Sequence, residues 1–150
     1  MKPINKIEVY KELQEELLRR KTSFRKQLFS SSALTVLQDD KSDYLYAIWK
    51  TISSDEGYKI LCAKLNALLT EYRMHKLFND SSALILTEQQ LQWIFSSWLP
   101  KLSASGRAKI AWAIDERSLQ YITRHSLTGP ESVSVKFFLL SQDARKWLSD

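Results

Sequence analysis

The stretch Lys76–Ser82, KLFNDSS, decides how this chain is read. Leu77 and Phe78 are apolar, Asn79-Asp80 stops the run, and two serines come next. This is the pattern of a short buried strand that hands over to a polar turn. The segments on either side must pair with that strand or cover it.

Downstream, Ser81–Leu86 reads as a loop that ends in the apolar run Ala83–Leu86. Thr87 and Gln90 have capping-box spacing, which predicts a helix start. Leu91, Ile94, Phe95, Trp98, Leu99 and Leu102 carry its stripe toward Gly106, with Pro100 inside it. Proline removes a helical hydrogen bond, so a kink or break is expected near Ser96–Trp98. The run Ala108–Ile114 is continuously apolar from Ile110 onward, as in a strand buried on both faces of a parallel sheet. Asp115 is a good N-cap for a helix over Glu116–His125. Gly129-Pro130 reads as a turn, and Val133, Val135, Phe137 and Leu139 alternate as a last strand. Ser141 is expected to cap a final helix through Trp147.

Upstream, Ser53 and Glu56 have the same capping spacing. The stripe from Ile60 to Tyr72 predicts a helix running to about His75. Before it, Ala33–Gln38 and Asp43–Trp49 flank the polar turn Asp39–Ser42 and read as a β-hairpin. Ser30–Ser32 breaks the pattern and reads as a domain border. Residues 4–28 read as one amphipathic helix, with Ile7, Tyr10, Leu13, Leu17, Phe24 and Leu28 at three- and four-residue steps. The organisation expected is an N-terminal amphipathic helix over 1–30 and one domain over 31–150. The class is α/β: a hairpin, then alternating helix and strand, in a mixed sheet of about five strands with the helices packed on it.

Composition agrees with one domain. The chain has 150 residues, 44% of them hydrophobic, enough for a full core. The single cysteine, Cys62, rules out an internal disulfide and sits within a helical apolar pattern, as a core residue does. No run reaches the roughly 18 apolar residues a membrane span needs, and no cleavable leader is recognisable. A cytoplasmic protein is expected. The net charge of +5 is unevenly placed. Residues 1–30 hold eight Lys/Arg against four Glu, while the other 120 hold 14 against 13. A basic surface is therefore confined to Arg19, Arg20, Lys21, Arg25 and Lys26.

Four stretches carry a resemblance: LFND (77–80), WLPKL (98–102), KIAWAI (109–114) and FFLLSQDARKWL (137–148). With the element order, they make residues 33–150 similar to the SpoIIAA-like, or STAS-like, domain family. The likeness is to its small stand-alone bacterial members of Bacteroidetes type, which have no established activity. In the anti-sigma-factor antagonists of that family, an Asp-Ser-Ser/Thr-Gly motif comes after the central strand, and phosphorylation of its serine switches off binding to a kinase partner. The resemblance maps this motif onto Asp80, Ser81 and Ser82, with Ala83 where the family has glycine. A further departure is the helix start at Thr87 rather than at the serines.

The function expected is a non-catalytic regulatory or protein-interaction module of STAS-like type, with a protein partner or a homodimer. The alternative is binding of a lipid or small apolar ligand among the five Trp, six Tyr and six Phe, although Trp49, Trp112 and Trp147 read as core and Trp93 as the exposed one. A second alternative is an anionic surface or nucleic acid bound by the basic N-terminal helix. The near-neutral domain itself is not expected to bind nucleic acid. His75 and His125 lie in different helices, and no nucleophile or metal-ligand spacing appears. No enzyme, metal or cofactor is expected.

Overall fold

The structure is a computed structural model. It describes residues 5–22, 25–104 and 108–150, and the side chains of all of these except 16–22 and 108.

Six strands form one sheet in the order β1-β2-β3-β4-β5-β6. They are β1 (Arg25–Ser30), β2 (Leu34–Asp39), β3 (Tyr44–Trp49), β4 (Lys76–Asp80), β5 (Ala108–Ala113) and β6 (Val133–Phe138). The first three pair antiparallel. From β3 to β6 all pairs are parallel. The class is therefore α/β with a mixed sheet, and each parallel step contains helix: α2 (Asp55–Glu71), α3 (Glu88–Trp93) with α4 (Leu99–Ala104), and α5 (Glu116–Arg124). Helix α1 (Lys6–Thr22) precedes the sheet and α6 (Ser141–Ser149) ends it.

Strand β1 is a correction to the sequence reading. The helix expected over 4–28 stops at Thr22, and Arg25–Ser30 pairs with β2 instead. The sheet gains a sixth strand. A register shift between Gln27 and Phe29 marks a bulge at Leu28. Ser30–Ser32 lies at a tight reversal between paired strands: Ser31 N donates to Leu34 O, and Ser31 Oγ accepts from the amides of Ala33 and Leu34.

Strand alternation splits the core in two. Leu34, Val36, Leu45, Ala47, Trp49, Leu77, Ile110 and Trp112 project to one side and pack under α2 to α5. Phe78, Ala111 and Ala113 project to the other side, where they meet Ala144 and Leu148 of α6, with Tyr44, Tyr46, Phe138 and Trp147 around them. Both faces of β5 are thus filled, as its continuous apolar run requires.

Three boundaries differ from expectation. Ser54, not Ser53, caps α2 by accepting from Gly57 N at 3.0 Å. That helix ends at Glu71, before His75, because Arg73 adopts the left-handed conformation. Ser141 is the first residue of α6 rather than its cap, which is Leu140. At Thr87 the full capping box forms with Gln90. The disturbance expected from Pro100 is a π-helical turn over Ile94–Trp98, closed by Leu99 N on Ile94 O. The stop expected at Gly106 lies outside the described residues. No described helix is long and apolar enough to cross a membrane.

Candidate functional site at the end of the central strand

The carboxyl end of β4 delivers Asp80, Ser81 and Ser82, and the structure gives the three different environments. Ser81 is 1% exposed. Its amide donates to Ala113 O at 2.8 Å, and its Oγ accepts from Trp112 Nε1 at 3.0 Å. Its carbonyl takes Leu84 N at 3.0 Å. Ser81 is a structural tie between β4, β5 and the loop. Ser82 is exposed. Its Oγ donates to Asp80 Oδ1 at 2.6 Å, and the same carboxylate oxygen accepts its amide at 3.1 Å. This is an Asx turn that holds the hydroxyl on a carboxylate at the surface.

The other oxygen of Asp80 accepts the Tyr46 hydroxyl at 3.3 Å. The Tyr46 ring stacks on Phe78, 4.7 Å between centroids and 11° between planes. The Arg145 guanidinium of α6 covers both rings, at 5.2 Å and 5.6 Å from their centroids. Burial raises the Tyr46 phenol above its ordinary value of 10.0, with Arg145 opposing. The phenol therefore stays protonated and keeps donating to Asp80. Sequence reasoning misses Tyr46 and Arg145. They come from β3 and α6, and only the alternation of Tyr44 and Tyr46 hints that one face of β3 is aromatic.

Parallel pairing aligns the strand ends, with Asp80 beside Ala113 and Ala113 beside Phe138. Open α/β sheets present ligand and partner sites at this carboxyl edge. Here it carries exposed apolar side chains: Ile85 is 72% exposed, Leu139 51% and Leu140 54%. A depression at the start of α6 is lined by Leu140, Ser141, Gln142 and Arg145.

The basic cluster is only partly placed. The side chains of Arg19, Arg20 and Lys21 lie outside the described residues. Arg25 and Lys26 are in β1, not in a helix. Arg25 pairs with Asp39 at 3.9 Å, and Lys26 lies 5.7 Å over the Tyr72 ring. His75 and His125 are both exposed, and His125 stacks on Tyr121 at 4.0 Å. Among the described residues no group of three His, Cys, Asp or Glu side chains is arranged to hold a metal.

The aromatic residues are mostly spent on the core. Trp49, Trp98 and Trp112 are each 1% exposed. Their indole N–H groups donate to Asn79 at 2.6 Å, Asn66 at 2.9 Å and Ser81 at 3.0 Å. Trp93 is half-buried against Tyr58, not exposed as expected. Cys62 is fully buried, and burial pushes its thiol up to about 12. It is an inert core residue.

Neither the comparison with protein-family models nor the comparison with curated proteins finds a match to this chain.

Proposed function

We propose that the chain is a non-catalytic regulatory or protein-interaction module of STAS-like type, and that the carboxyl edge of its parallel strands is the binding surface. One observation carries this reading: an exposed serine hydroxyl, held on the Asp80 carboxylate, stands at the edge that also exposes Ile85, Leu139 and Leu140. Exposed apolar side chains around a polar turn suit a protein partner. The sequential order of the four parallel strands agrees with the SpoIIAA-like resemblance of residues 33–150.

The switch in this reading is Ser82. A phosphate there replaces the donor that Asp80 now accepts and sets a dianion two residues from that carboxylate. Repulsion opens the turn and charges an apolar edge, so partner binding is lost. Because the helix starts at Glu88, the phosphate gains little from a helix N-terminus. The effect here is disruptive rather than stabilising. Ser81 takes no part, since it is buried under Trp112.

The test is affinity capture from source cells with three forms of the chain. A protein held by wild type and by Ser82→Ala, and lost with Ser82→Asp, is expected. The same proteins on all three forms would defeat the reading.

A further inference from the structure

Every described side chain of α1, from Lys6 to Glu15, is exposed. Ile7, Val9, Tyr10 and Leu13 are 69%, 43%, 63% and 54% exposed. At 100° per residue these four fall within one half of the helix circumference, and Glu8, Lys11, Glu12 and Glu15 fall on the other. A 17-residue helix is marginal in water without a partner for its apolar face. The large face of the sheet is already covered by α2 to α5, and α6 covers β4 to β6 on the other.

The charge order within α1 says what that partner is. From Lys6 to Glu16 there are two lysines and four glutamates, a balance of −2. From Leu17 to Thr22 there are Arg19, Arg20 and Lys21 with no acid, a balance of +3. Such a helix complements its own reverse. Two copies aligned parallel oppose like charges along their length. Aligned antiparallel, each acidic half meets a basic half.

We infer that α1 is the contact helix of a homodimer, in which it pairs antiparallel with the α1 of a second copy about a two-fold axis. The interface is isologous, as two-fold contacts are. It leaves the Ser82 edge free and is independent of the switch proposed there.

Sedimentation velocity of the intact chain tests it, with cysteine cross-linking to fix direction. A reversible dimer is expected, and Leu13→Glu weakens it by about tenfold or more by placing a charge in the apolar contact. The thermal transition of the sheet domain is expected not to move in that variant. Gln14 is at the middle of α1, so Gln14→Cys is expected to form a disulfide-linked dimer on oxidation. Asn5→Cys is expected not to, because antiparallel helices of this length hold their starts roughly 25 Å apart. Cys62 is buried and does not compete. A monomer at all concentrations overturns the pairing, as does a dimer indifferent to Leu13→Glu. Cross-linking through Asn5→Cys in preference to Gln14→Cys overturns the antiparallel arrangement. None of these results bears on the Ser82 edge, whose test is partner capture.

Discussion

The indole N–H of Trp112 donates to Ser81 Oγ at 3.0 Å, with both residues buried. This bond joins β5 to the turn that ends β4 and fixes which serine faces solvent. Ser81→Ala leaves a buried indole N–H without its acceptor, at a cost of about 1–3 kcal/mol. Trp112→Phe also thins the packing against Trp98 and Phe137, at 5.4 Å and 5.9 Å between centroids, and should cost at least as much. The double variant should lose less than the sum, since either change alone removes the bond. Urea denaturation of the four proteins measures this coupling.

Strand β1 separates two truncations. Removing residues 1–22 takes away α1 alone and should leave the melting temperature of the domain within about 2 °C, since surface changes seldom matter more. Removing residues 1–30 also takes Leu28 and Phe29, which pack against the core, and the Lys64 contact over the Phe29 ring at 5.7 Å. That loss should cost about 2–4 kcal/mol. Circular dichroism melts of both forms decide it.

Two lysines hold the end of α6. Lys76 Nζ donates to Leu148 O at 2.9 Å and pairs with Asp43 at 2.8 Å. Lys109 Nζ donates to Trp147 O at 2.9 Å and sits 4.4 Å over its ring. Positive charge at a helix C-terminus is favourable. Replacing each lysine with Met should cost about 1 kcal/mol and release α6 first. Amide hydrogen exchange should then quicken in Ser141–Ser149 before it does in β4 and β5.

How much of this is legible in sequence depends on range. Lys76–Asp80 and the Thr87–Gln90 capping box are readable because their signals are local. Strand β1 is not. Phe24 and Leu28 continue the four-residue spacing of α1, and the bulge at Leu28 breaks the two-residue alternation, so a helical stripe masks a strand whose partner is only a tight turn away. Asp80 and Ser82 are visible as a turn. The burial of Ser81 is not, because it depends on Trp112, 31 residues away. The clamp by Tyr46 and Arg145 is likewise out of reach, since three separate elements build it.

Buried Cys62 predicts alkaline destabilisation. Its folded thiol is pushed from 9.0 up to about 12, so the folded state resists ionisation and the unfolded state does not. The stability it contributes is complete below pH 9 and falls as pH rises toward 12. By pH 10 the loss is on the order of 1 kcal/mol. Tyr58, raised well above 10.0 by burial, adds to the slope beyond that point. Urea denaturation at pH 8 and pH 10 should show the drop, and Cys62→Ala should reduce it.

The most direct measurement of the proposed switch is phosphate mapping by tandem mass spectrometry, on the chain incubated with ATP in an extract of its source cells. Phosphate is predicted on Ser82, absent in Ser82→Ala, with Ser81 unmodified. Phosphate on Ser81, or none on this turn, would contradict the assignment of Ser82 as the switch.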